Sequence, residues 1–171
     1  MMLNLDKYAR VARAWRDWAK IDCVASQHLF FSGNPFLYFP AATLGHHALE
    51  MYLKAALICE GMTVFDANIV GKLHSSVGLK ASDCVWGHNL AALATQLATR
   101  RTDFDLSDEL NIPCVALKMP MKLLTAFELF DPFFSEIRYP TELKKFEGLT
   151  EEEGRVLDAL VSRLLPFLNT V

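Results

Sequence analysis

The chain has 171 residues with 17 Lys and Arg against 20 Asp and Glu, a formal net charge of −3 at pH 7. That length supports one domain with a full hydrophobic core, spanning residues 1–171, and is short for two; a pI near 5.9 excludes a highly basic nucleic-acid coat but leaves room for a local basic patch. Hydrophobic residues make up 52% and aromatic residues 11%, enough buried surface to offset the entropy of ordering, so the chain is expected to fold.

Helical periodicity dominates, without period-two alternation or an Asn-Gly or Asp-Gly hairpin turn between β-branched runs, and the predicted class is all-α. From Asp6 to about Phe31, the residues Tyr8, Val11, Ala12, Trp15, Trp18, Ala19, Ala25 and Leu29 share one face, with Arg10, Arg13, Asp17 and Lys20 opposite. Ser32-Gly33-Asn34-Pro35 stops that helix. Pro40 opens a second, in which Leu44, Ala48, Met51, Ala55 and Ile58 repeat at helical spacing until Gly61. Its apolar surface covers well over half the circumference, which predicts the central, most buried helix.

Residues 62–87 read as a long connection without sustained periodicity. A third helix starts at His88-Asn89, carries Leu90, Leu93, Ala94 and Leu97 on one side, and has Arg100-Arg101 in its last turn. A second irregular stretch covers 102–120. Met121 to Phe130 reads as a fourth helix, restarted by Asp131 as cap with Pro132 at the first helical position, and ending at Arg138-Tyr139-Pro140. The last helix opens on the capping box Thr150-Glu151-Glu152-Glu153 and carries Val156, Leu157, Leu160, Val161, Leu164 and Leu165 until Pro166.

The longest apolar stretch, Pro35 to Leu44, is about half of the roughly 20 residues that cross a bilayer, so no membrane span is expected. The N-terminus runs directly into a charged amphipathic pattern without an apolar signal core, which predicts a cytoplasmic location. Cys23, Cys59, Cys84 and Cys114 form no Cys-x-x-Cys pair and read as buried free thiols rather than a zinc or disulfide framework.

Several residues break the apolar pattern. Asp22 falls among Trp18, Ala19, Ala25 and Leu29, where an unpaired carboxylate would cost several kcal/mol. It is therefore expected to be buried and to contact a polar group of helix two, whose polar arc is His46, His47, Glu50 and Lys54, with Glu50 and Lys54 at i, i+4 in the favourable order. Asp22, Glu50 and Lys54 then form a structural network fixing the packing of the two helices. A di-metal bundle site needs Glu-x-x-His on two helices, whereas here the order is His47-x-x-Glu50 without a second copy; His74, Cys84 and His88 share no evident face, and no metal or cofactor is assigned. His88-Asn89 reads most simply as a helix cap. Arg138-Tyr139-Pro140 reads either as local packing or as an arginine and a stacking aromatic that meet a phosphate or nucleotide, with Arg13, Arg16 and Lys20 as a solvated face or as an extension of that surface. The sequence contains no Gly-rich phosphate loop, Gly-x-Ser-x-Gly elbow or His-Glu-x-x-His helix.

Four segments in this order, Trp15-x-x-Trp18-Ala19-x-x-Asp22-x-x-Ala25, His47-Ala48-Leu49-Glu50-x-x-x-Lys54-Ala55, Gly87-His88-Asn89-Leu90-x-x-Leu93 and Arg138-Tyr139-Pro140, resemble the HEPN family, small helical bundles found beside nucleotidyltransferases and in toxin–antitoxin and RNA-processing systems. The resemblance covers roughly residues 5–165. It implies an up-and-down four-helix bundle with an additional C-terminal helix, a homodimer with clefts near Arg138, and either a nucleotide or RNA ligand or a protein partner of nucleotidyltransferase or other type. Active members resembling this pattern are metal-independent ribonucleases in which a histidine follows the arginine by four to six residues and does acid–base work. Here Arg138 is followed by Tyr-Pro-Thr-Glu-Leu-Lys-Lys. The expectation is therefore a non-catalytic nucleotide-, RNA- or partner-binding module built from Arg138, Tyr139, His88, Glu50, Lys54 and His47, with a ribonuclease of modified active site around Arg138 as the alternative. The expected dimer also rests on Phe130, Phe133, Phe134, Ile137 and Tyr139, which crowd into ten residues and cannot all be hidden by one helix face; the alternative is that the irregular stretches 62–87 and 102–120 cover them.

Overall fold

The computed structural model describes residues 5–64, 84, 85, 87–110, 112, 120–135 and 148–168. Helix α1 spans Leu5–Phe30. It buries Ala12, Ala19, Cys23, Ser26 and Phe30, a stripe at near-heptad spacing that faces the next helix. The chain then reverses at Gly33, whose φ of +72° is open to glycine and strained for other residues. Ser32 Oγ donates to Leu29 O at 2.7 Å, and Asn34 Oδ1 accepts from the Phe36 amide at 3.1 Å to start the 3₁₀ turn Pro35–Leu37. Helix α2, Tyr38–Cys59, follows directly. Pro40 lies in its first turn, where no amide donor is needed.

Helix α2 is the axis of the core and packs against every other helix, most extensively α1. Small residues allow this closeness. A Cβ on Gly45 would approach Phe130 Cε1, Ser26 Oγ and Leu157 Cδ2 at 3.1, 3.2 and 3.3 Å, and the Ser26 hydroxyl donates to Ala41 O at 2.7 Å. At its end the Met62 amide bonds Leu57 O and the Gly61 amide bonds Ile58 O, both at 3.0 Å, with Gly61 at φ +85°: the left-handed C-terminal stop that satisfies otherwise orphaned carbonyls.

The remaining helices are α3 (Leu90–Ala98), α4 (Leu123–Phe130), α5 (Pro132–Ser135) and α6 (Glu151–Leu164), the last running on into a 3₁₀ turn, Leu165–Leu168. Helix α6 begins as its sequence predicts: Thr150 Oγ1 accepts from the Glu152 amide, and Glu153 Oε2 accepts from the Thr150 amide at 2.7 Å. One hydrophobic cluster joins all six helices, and the described chain is mostly helical, in keeping with an all-α class. Among the described residues no helix is long and apolar enough to cross a membrane.

Some expectations are corrected. Thr63–Val64 pairs in parallel with Cys84–Val85, and Glu109–Leu110 antiparallel with Met121–Lys122; two-residue bridges are too short to leave an alternating pattern. Trp18 and Leu165 are 59% and 43% exposed: the buried stripe of α1 passes beside Trp18, and Leu165 falls past the end of α6 in the 3₁₀ turn. Helix α3 ends at Ala98, so Arg100 and Arg101 follow it. Phe130 and Phe133 are buried within the chain, with ring centroids 6.2 Å apart and Phe39 6.3 Å from Phe133; these two need no second chain to cover them. The side chain of Phe134, and Ile137, Arg138 and Tyr139, lie outside the described residues. Cys23 is a buried free thiol and Cys59 a half-buried one; burial, against a hydrogen bond with Gln27, pushes the Cys23 thiol up to about 11.

Candidate functional site

Three turns of α2 set out the site, because residues four apart stack on one face. Glu50 is in the middle, only 4% exposed. One turn later Lys54 donates to its Oε1 at 2.6 Å. One turn earlier the buried His46 brings Nε2 to 3.6 Å from Oε2. The other ring nitrogen of His46, Nδ1, lies 2.8 Å from Phe130 O; a carbonyl only accepts, so Nδ1 carries the hydrogen. His46 thus bonds the end of α4 and sets its other ring nitrogen beside the buried carboxylate.

The fourth member comes from another element. His88 precedes α3, placed by Gly87 at φ +91°, and its Nδ1 lies 3.0 Å from Glu50 Oε1. Its side chain is half exposed, whereas that of Lys54 is largely covered and its ammonium sits 6.0 Å from the centroid of the Trp15 ring. Burial alone would raise the Glu50 carboxyl, but His46, Lys54 and His88 outweigh it and hold it down at about 2 from its ordinary 4.5. Glu50 is therefore a fixed negative charge at neutral pH. It is too weak a base to take a proton from substrate, and its chemistry is to orient Lys54 and His88.

The start of α3 is itself closed. Asn89 Oδ1 accepts from the Ala92 amide at 2.6 Å, and Asp131, at the end of α4, accepts from the Leu90 amide at 2.5 Å and from Asn89 Nδ2 at 3.1 Å. Asp131 thus caps α3, its carboxylate meeting the positive end of a neighbouring dipole, while the short helix α5 starts at Pro132 as its sequence predicts. These amides are already used, and beside them the imidazole of His88 is the exposed member of the Glu50 cluster.

Asp22 faces α2 from α1 and is largely covered, with Oδ2 2.5 Å from His47 Nδ1. Its partner is the half-exposed His47, while Glu50 and Lys54 hold one another; the two acids are anchored separately rather than in one network. The structure therefore gathers His88, Glu50 and Lys54, sets His47 with Asp22, and leaves Arg138 and Tyr139 outside the described residues. Sequence reasoning missed the roles of His46 and Asp131. The i, i+4 spacing of His46 and Glu50 held the signal for the first; nothing local signals a cap acting on amides some forty residues earlier. Among the described residues no group of three His, Cys, Asp or Glu is arranged to hold a metal ion. No protein-family model, curated protein or solved structure matches the chain.

Proposed function

We propose that the protein is a HEPN-like helical bundle of the up-and-down, four-helix type that binds RNA or a nucleotide, or docks a partner protein, without cleaving its ligand. His88, half exposed and oriented by Glu50, forms the centre of the binding surface, with Lys54 and His47 beside it and Arg138 and Tyr139 supplying the phosphate and stacking contacts. The observation that carries this reading is the buried Glu50 carboxylate, which His46, Lys54 and His88 hold at about 2: a structural anion that positions cations, not an acid or base poised near neutrality. The missing histidine after Arg138 points the same way.

One observation favours a second reading. An exposed imidazole whose Nδ1 is tied to a carboxylate at 3.0 Å is also the arrangement of an oriented general base, which would make the protein a metal-independent ribonuclease using His88. Incubation of the protein with mixed RNA in chelator tests both, read by filter retention and by gel. Wild type is expected to retain RNA uncut, with retention weakened at least tenfold in His88→Ala and in Arg138→Ala. Cleavage by wild type that vanishes in those variants would establish the ribonuclease instead; failure to retain either RNA or nucleotides would leave the protein-docking form of the proposal alone.

A further inference from the structure

His46 is a buried imidazole set between two acceptors. Its Nδ1 lies 2.8 Å from Phe130 O, a carbonyl that can only accept, and its Nε2 lies 3.6 Å from Glu50 Oε2. The two side chains are 2% and 6% exposed. Oε2 accepts no hydrogen bond among the described residues, since Lys54 and His88 both approach the other oxygen, Oε1, at 2.6 and 3.0 Å. A water bonded to both Nε2 and Oε2 would hold them roughly 4.5 Å apart, wider than the spacing found. What faces the second oxygen of this buried, ionised carboxylate is therefore the imidazole nitrogen itself.

We propose that His46 carries a hydrogen on each ring nitrogen and stands in the core as an imidazolium, a positioning residue that fixes Glu50 by its second oxygen and leaves the first to Lys54 and His88. With a lone pair on Nε2, two acceptors would face one another out of water, where little screens their repulsion. A hydrogen there turns the repulsion into an attraction between opposite charges, and the Nδ1 hydrogen is already engaged by Phe130 O. The proton belongs on the nitrogen rather than on Oε2, because imidazole is ordinarily the stronger base by about two pH units and Lys54, at 2.6 Å, favours the ionised carboxylate. The contacts close a ring. His46 bonds the carbonyl of Phe130, the next residue, Asp131, holds the Leu90 amide, and His88, two residues before Leu90, returns to Glu50. The proton on His46 thus sits in the same ring as the half-exposed imidazole of His88. The inference concerns charge inside the site and holds whatever the site binds.

Proton–nitrogen correlation spectra of the histidine rings, assigned through bonds to each backbone, read these hydrogens directly. At about pH 7.5, roughly one unit above the ordinary imidazole value, wild-type His46 is expected to show both nitrogens protonated, and His88 to favour the form with its hydrogen on Nδ1, toward Glu50. In His46→Gln, with its circular dichroism spectrum unchanged, the His88 tautomer ratio should move at least threefold toward the other form. A wild-type His46 with a bare Nε2 would overturn the proposal, and that spectrum decides the charge even where the variant does not fold. An unmoved His88 in folded His46→Gln would overturn the positioning role.

Discussion

Glu50→Gln keeps the shape of the side chain and removes its charge, and the consequence is best read as a function of pH. The carboxyl is held at about 2 in the folded chain against 4.5 ordinarily; at about 1.36 kcal/mol per pH unit this difference makes ionised Glu50 worth about 3 kcal/mol of stability at neutral pH. Because the folded value is the lower one, the contribution is fully present above 4.5 and is lost as the pH falls toward 2. By pH 3 roughly 1 kcal/mol of it remains. Glutamine does not titrate, so any constant difference in packing cancels when the two proteins are compared across pH. Urea unfolding followed by tryptophan fluorescence at pH 7, 5 and 3 should therefore show the gap between wild type and Glu50→Gln narrowing by about 2 kcal/mol from pH 7 to pH 3, most of it below pH 4.5. Parallel stabilities across that range would mean that Lys54, His46 and His88 do not hold a charged carboxylate.

Two further perturbations probe the frame around the site. Asp131→Ala removes the carboxylate from the Leu90 amide and should cost about 1–2 kcal/mol, with hydrogen exchange at Leu90 and Ala91 accelerated relative to α6; unchanged protection there would refute the cap. Gly154→Ala improves helix propensity by about 1 kcal/mol but sets a Cβ 2.9 Å from Phe30 Cβ, an atom fixed to the backbone of α1. Overpacking of that kind costs about 1–3 kcal/mol, so a net loss of about 1 kcal/mol is expected, and a higher melting temperature would show that α1 and α6 separate freely.

Helices α1, α2 and α6 were legible to within a residue or two, since each combines dense apolar spacing with an unambiguous terminus: Gly33, Gly61 and the Thr150–Glu153 box. Contacts that span the chain were not. Glu50 and Lys54 announce each other at i, i+4, yet the approach of His88 across 38 residues depends on where α3 docks, which no local pattern encodes. Trp18 failed for a different reason. Its place on the wheel is at the margin of the apolar face, and helix spacing alone does not say which margin a neighbouring helix will cover. Asp131-Pro132 is a sound capping pair by local rules; the tertiary fold gave the carboxylate a better set of amides.

The long-range cap on α3 also bears on the order in which the molecule comes together. Nine residues are fewer than the roughly 12–15 at which an isolated helix becomes even marginal in water, so Leu90–Ala98 gains its helicity from what docks against it. The carboxylate that receives its Leu90 amide lies 41 residues downstream. A chain made from its N-terminus can close α1 on α2 and join Lys54 to Glu50 early, through neighbouring segments. His88 reaches its place only when the segment ending at Asp131 has closed a much longer loop, whose entropy must be met before the contact rewards it. The His88 imidazole is thus set beside Glu50 only after that loop has closed, later than the pairing of Lys54 with Glu50.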